Sequence, residues 1–375
     1  MRLAFIADWL PTYAGAERVI AQWCSLWPDA PLFTTVAQHG KLGPLDRADI
    51  RASALQRWYR ILGNHKLLLP WMPRAIERID LRGYDIVLSS SHAVAKGVIP
   101  PSTAIHICYC HTPMRYAWEM EEQYLQDFRV PALLRKTVRR RLTALRRWDM
   151  TTAKRTDVFI ANSSTTQERI ARTYARESTV IHPPVDDHFF EAPLHHGKRT
   201  SYLAVGRLVP YKRFDLLIQA ANAFGFPLDI AGTGQDEQRL RSLAGPTVRM
   251  LGYVPEEQLS ALYAQARALL FPPFEDAGVV PLEAQACGTP VIAYGQGGAL
   301  DTVLDGVTGL FFAQQTIRSL HNALQRFDTL HFDPEQIRAH AQQFSGEIFR
   351  GRMRAMVDEI WQTKLANKHT GEFGH

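Results

Sequence analysis

The stretch Phe274-Glu275-Asp276-Ala277-Gly278-Val279-Val280-Pro281-Leu282-Glu283-Ala284-Gln285-Ala286-Cys287-Gly288-Thr289-Pro290 sits between two short apolar runs, Ala268 to Phe271 and Pro290 to Ala293. Runs this short and this apolar read as strands buried on both faces. Val280 to Ala286 reads as a helix between them, and Gly288 and Pro290 punctuate its end. Strand, loop, helix and strand in that order make the crossover unit of a parallel sheet.

The same alternation extends in both directions. Ser201 to Val205, Leu228 to Ala231 and Val248 to Leu251 read as further strands, with Tyr211 to Ala223 and Glu256 to Ala266 as helices. Before Asn162 and the turn His182-Pro183-Pro184-Val185-Asp186 lies a second series. There Leu3 to Ala7, Pro31 to Val36, Tyr84 to Ser89, Ile105 to Tyr109 and Val158 to Ala161 read as strands, and Ala16 to Leu26 as the first helix. The expected fold class is α/β, with two Rossmann-like units over residues 1–162 and 163–345. A length of 375 residues suits two domains of ordinary size. Ligands of open parallel sheets bind beyond the carboxyl ends of the strands, so chemistry is expected on strand-to-helix loops and in a cleft between facing units.

Composition narrows the class. Hydrophobic residues make up 46% of the chain and charged residues 21%, which fits packed cores rather than disorder. The net charge of +6 suits anionic partners. Cys24, Cys108, Cys110 and Cys287 lack both zinc spacing and the density of a disulfide scaffold, so buried structural thiols in a reduced compartment are expected. The opening Met1 to Asp8 is broken too early for a signal peptide, and no stretch approaches the ~18 apolar residues of a membrane span.

Three loops carry candidate chemistry. Trp9 to Glu17 leaves a strand for a helix through Gly15, compatible with phosphate contact at the helix N-terminus and equally with a plain tight turn; it lacks the full dinucleotide-binding glycine pattern. Val205 to Arg213 carries Arg207 and Lys212, two cations able to neutralise a diphosphate, or a solvated pair. On the opening stretch, backbone N–H groups around Ala277, Gly278, Val279 and Val280 can cap a phosphate, while Glu275 and Glu283 can accept from neutral hydroxyls such as those of sugars.

The pattern E-x7-E followed by A-x-A-x-G-x-P-V-I-A closely resembles retaining glycosyltransferases of family 4. Gly15 with Glu17, Arg207 with Lys212, Ala231-Gly232-Thr233-Gly234, Leu251-Gly252-Tyr253 and the terminal helix fall in the family's order. The resemblance implies a GT-B fold, with a final helix near 346–366 crossing back to the first domain. It implies that Arg207 and Lys212 hold the donor diphosphate, Glu275 orients the hexose, Glu283 binds the ribose, and Gly252 and Tyr253 frame the base. The segment Tyr109-Cys110-His111-Thr112-Pro113-Met114-Arg115-Tyr116-Ala117-Trp118 resembles a subgroup that transfers mannose from GDP-mannose in O-antigen and exopolysaccharide assembly. That likeness sets His111 against the donor sugar and implies a polyprenyl-diphosphate-linked saccharide as acceptor, on the cytoplasmic face of the membrane. Arg115, Tyr116 and Trp118 are acceptor candidates.

No Asp-x-Asp stands at a strand end, Asp186-Asp187 has the wrong spacing, and Arg207, Lys212 and helix N–H groups supply charge stabilisation, so neither metal nor other cofactor is expected. Pro131 to Trp148, PALLRKTVRRRLTALRRW, reads as a basic amphipathic helix. It fits an anionic membrane surface, with its leucines and Trp148 dipping in, and it fits equally a core-facing helix with a solvated charged face. Epimerases and phosphorylases could share two such units but lack this residue set or this length. A nucleic-acid role has only net charge and the arginine run behind it, so no nucleic-acid partner is expected.

Overall fold

The computed structural model describes residues 1–114, 118, 132–197 and 199–370. Their chain forms two compact units, Met1–His182 with Phe349–His375, and Pro183–Ile348. Each is built on a wholly parallel sheet.

The first sheet contains β1 (Leu3–Ala7), β2 (Leu32–Thr34), β3 (Ile50–Ala52), β4 (Ile86–Ser91), β5 (Ile105–Cys110), β6 (Val158–Ala161) and β7 (Thr179–Val180), in the order β3-β2-β1-β4-β5-β6-β7. Its central strands are apolar throughout because helices cover both faces: β1 is fully buried and pairs Phe5 with Leu32 on one side and Leu88 on the other. The helix Gly15–Leu26 buries Val19, Ile20 and Trp23 on one face, and the closing helix Gly346–Thr370 adds Phe349, Met353 and Val357 to that core. The chain thus returns to the first unit at its C-terminal helix.

The second sheet contains β8 (Tyr202–Val205), β9 (Leu228–Ala231), β10 (Val248–Gly252), β11 (Leu269–Phe271), β12 (Val291–Tyr294) and β13 (Gly309–Phe312), in the order β10-β9-β8-β11-β12-β13. In both sheets the order reverses beside the first strand, at β1/β4 and at β8/β11, the crevice where open sheets of this type bind ligands.

The boundary differs from that expected at residue 162. The helix Ser164–Tyr174 and β7 belong to the first unit, since β7 pairs with β6 through Ile160 and Thr179, and the boundary falls at His182. The helix Ala132–Ala153 resolves the two readings of the basic segment over its described part. Leu142 is 4% exposed, and Leu145 and Trp148 pack on the core beside Ile76 and Val98. Trp148 donates to Glu77 at 2.9 Å. These apolar side chains are taken up by the fold and do not dip into a membrane, while Arg139, Arg140 and Arg141 stay exposed. No helix among the described residues is long and apolar enough to cross a membrane. The four cysteines are free, with Cys108, Cys110 and Cys287 buried.

Candidate active site

At the β8/β11 switch point, β8 ends in Gly206 and a tight 3-10 turn, Pro210–Lys212. The turn closes on Arg213, which adopts a left-handed backbone (φ 55°) unusual for a residue with a side chain, and a forked contact to Asp215 holds it there. The consequence is that Lys212, 8% exposed, points inward rather than to solvent, and its Nζ pairs with the Glu275 carboxylate on the loop after β11. The sequence predicted both residues for the site, and the fold brings them together. Arg207 on the same loop is exposed, with its guanidinium near the Tyr211 hydroxyl.

The Glu275 loop is clamped by backbone. The Glu275 carbonyl accepts from Gly298 N–H at 2.8 Å, and a Cβ at Gly298 would lie 2.3 Å from the Asp276 carbonyl oxygen. Gly278, left-handed at φ 61°, ends the loop and caps the helix Val279–Ala286, whose first N–H groups have no intrahelical partner. Ala277, Val279 and Val280 are half-buried around that terminus. Glu283, one turn on, is buried and accepts from Tyr263 Oη at 2.9 Å. The neighbouring loop after β9 crosses close by: Gly232 donates to the Gly252 carbonyl at 2.7 Å, and a Cβ at Gly232 would overlap the Gly206 carbonyl at 1.9 Å. Tyr253, after β10, is 75% exposed. The arrangement offers a partly buried cation, a carboxylate and a helix N-terminus on adjacent loops, a set suited to a diphosphate bearing a hydroxylated group.

The first unit has its own switch point. Asp8, ending β1, is buried and accepts from four successive backbone N–H groups, His92, Ala93, Val94 and Ala95, at 2.5–3.1 Å. His92 Nδ1 stands 2.9 Å from the same carboxylate. Burial is the largest single influence and opposes both charges, but at His92 the Asp8 charge, the hydrogen bond to Asp8 and the Glu17 charge together lift the imidazole above its ordinary range, while His92 and the N–H groups hold Asp8 below its own. Glu17 turns back to accept from Ala14 N–H at 3.2 Å, and burial raises its carboxyl. Gly15 opens this helix on the exposed side, and a Cβ there would meet nothing within 4 Å.

His111 follows β5. Its Nε2 lies 2.8 Å from Ser90 Oγ, and its ring stands 5.1 Å from Tyr109 and 6.3 Å from His92. Burial pushes it down to about 3, so it is a neutral imidazole. Trp118 departs from its expected acceptor role: its indole Nε1 donates to the buried Asp149 carboxylate at 2.8 Å and its ring packs on the core, so it is spent on structure. Arg115 and Tyr116 lie outside the described residues.

In each unit one feature escaped sequence reading. Gly297 and Gly298, which fix the Glu275 loop, follow β12 as a glycine-rich run, a usable signal. Asp8 and His92 are far apart in sequence, and a lone Asp after an apolar run reads only as its end.

Residues 13–189 match the family model described as Glycosyltransferase Family 4, and residues 185–344 match that described as Glycosyl transferases group 1. The two matches follow one another along the chain and together run from residue 13 to residue 344. Among curated relatives, it is 30% identical to a glycogen synthase of Pseudomonas syringae over 51% of this chain and 39% of that protein. It is 36% identical to a GDP-mannose-dependent alpha-(1-6)-phosphatidylinositol monomannoside mannosyltransferase of Mycolicibacterium smegmatis, over 30% of this chain and 34% of that one. The chain thus spans well under half the length of these relatives. Among solved structures, Anabaena HepE in complex with UDP-glucose superposes with a TM-score of 0.69 at 16% identity, covering 96% of this chain and 100% of that one.

Proposed function

We propose that this chain transfers a hexose from a nucleoside diphosphate with retention of configuration and without a metal, and that the donor is GDP-mannose. The observation that carries the reading is the Lys212–Glu275 pair beside the Gly278 helix N-terminus. In this reading Lys212, Arg207 and the N–H groups of Val279 and Val280 neutralise the departing diphosphate, Glu275 and His111 contact the hexose, and Glu283 takes the ribose, with Gly252 and Tyr253 at the base. The bond from the anomeric carbon to the diphosphate oxygen breaks, the acceptor oxygen bonds to that carbon on the same face, and the acceptor proton passes to a phosphate oxygen. Glu275 orients the sugar and does not attack it. The proposed acceptor is a polyprenyl-diphosphate-linked saccharide at the inner face of the cytoplasmic membrane, in cell-surface polysaccharide assembly.

A UDP-hexose is the second reading, favoured by the glycogen synthase relatives and the UDP-glucose complex. Thermal shift and donor hydrolysis with GDP-mannose, UDP-glucose, UDP-N-acetylglucosamine and UDP-galactose separate the two. Stabilisation by GDP-mannose alone, unchanged by EDTA, is the expected result. Preference for a UDP-sugar discards the mannosyl donor, and loss of turnover in EDTA discards the metal-free mechanism.

A further inference from the structure

Five large apolar side chains of the first unit stand in solvent within one short stretch: Trp58 is 59% exposed, Ile61 75%, Leu62 45%, Leu67 49% and Trp71 56%. Trp58, Ile61 and Leu62 share one face of the helix Gln56–Leu62 at i, i+3 and i+4, and the following 3-10 turn His65–Trp71 carries the other two. The fold does not need this face. Tyr59, Leu68 and Leu69 from the same elements already fill the core, with Met72 just after them. Isolated apolar residues on a surface are ordinary, whereas a run of this kind marks an interaction site.

The charges around it are mostly positive, with Asp80 the acidic side chain lining the adjoining cavity. No Asp or Glu occurs between Asp49 and Glu77, and Arg57, Arg60, Lys66, Arg74 and Arg78 are all exposed. None of the five has a carboxylate partner among the described residues. Glu77 is occupied by Arg155 and Trp148. Beside the patch, Trp71, Arg74 and Arg78 line a cavity of about 760 Å³.

We propose that the 56–78 face docks on the anionic leaflet of a phospholipid bilayer, with the two tryptophans and the leucines at the acyl boundary and Arg74 and Arg78 on headgroup phosphates. Tryptophan and aliphatic side chains ringed by cations are the composition of an in-plane membrane contact. A second copy of the chain on the same face would bring like charges together across a twofold axis, which disfavours it. The face also supplies what the helix Ala132–Ala153 does not, since Leu142, Leu145 and Trp148 of that helix are committed to the core. This face gives the membrane placement proposed above, on which the docking rests, a contact surface. Its test reads binding rather than turnover, so it can fail while the transferase reading stands.

The full chain is floated with phosphatidylcholine vesicles and with vesicles also containing phosphatidylglycerol. Capture by the anionic vesicles alone is expected, weakening by about tenfold or more in Arg74→Gln/Arg78→Gln and in Trp58→Ser/Trp71→Ser. Unchanged thermal midpoints show that both variants are folded. Wild-type chain that fails to float, or patch variants that float as well as wild type, overturn the proposal. So does lipid binding lost only when Arg139, Arg140 and Arg141 are neutralised, or a patch whose substitution dissociates a dimer and leaves lipid binding intact.

Discussion

The two switch points share a strand order and differ in what their loops do with charge. In the first unit the carboxylate at the end of β1 is turned inward: Asp8 is saturated by four N–H groups and His92, and the charge holds β1 to the β4 end. In the second unit the cation after β8 is turned toward a half-buried loop, where Lys212 pairs with the Glu275 carboxylate. One crevice uses its charge as a structural clamp; under the function proposed above, the other keeps its charge for the donor. The parallel order fixes where a site can form, and the loop residues decide whether that place becomes support or chemistry.

Removing each charge tests this division, and the larger effect is expected in the first unit. Asp8→Ala strips the partner from the half-buried His92 ring and from four N–H groups, so it should cost about 3–5 kcal/mol of stability, read by denaturant unfolding. A loss below about 1 kcal/mol would mean that Asp8 is no clamp. Lys212→Ala should leave the fold nearly intact and slow donor hydrolysis by about 10²–10³-fold. An equal loss of stability in that variant would erase the contrast, because Lys212 would then be structural too.

Much of this was legible in the sequence because the second unit writes its site locally. Glu275, Gly278 and Glu283 lie on one strand-loop-helix segment, and Lys212 follows a strand within a short loop. The longest strands, β4 and β5, were legible as apolar runs, whereas β3 and β7 are short edge strands with half-exposed or exposed residues and no apolar signature. The Asp8–His92 pair depends on β1 lying beside β4, a fact of topology that spacing does not carry. The same limit explains the basic helix and the 56–78 face. Both show apolar residues at helical spacing, and only packing reveals that the first spends them inside while the second leaves them in solvent.

The most gradual expected effect is on pH, and it sharpens the comparison because the strongly shifted histidines belong to the first unit. His106 is fully buried, bridges Ser89 Oγ at 2.8 Å and the Arg155 carbonyl at 3.2 Å, and burial pushes it down to about 4. His111 is pushed down to about 3. Both stay neutral in the folded chain while the unfolded chain protonates them below about 6.5, so the unfolded state binds more protons and stability falls as pH drops. Each contributes at most about 1.4 kcal/mol per pH unit, from about pH 6.5 down toward its folded value. His92 acts in the opposite sense: its imidazole is raised, so its contribution is complete below about 6.5 and is lost as pH rises through the higher folded value. The first unit should therefore be most stable near pH 6.5, with the acid limb shallower in His106→Asn and the alkaline limb flattened in His92→Asn. Denaturant midpoints between pH 5 and 9 measure both limbs. A flat profile in the wild-type chain would show that these histidines do not hold their charges apart, and that the clamp at Asp8 is made by backbone N–H groups alone.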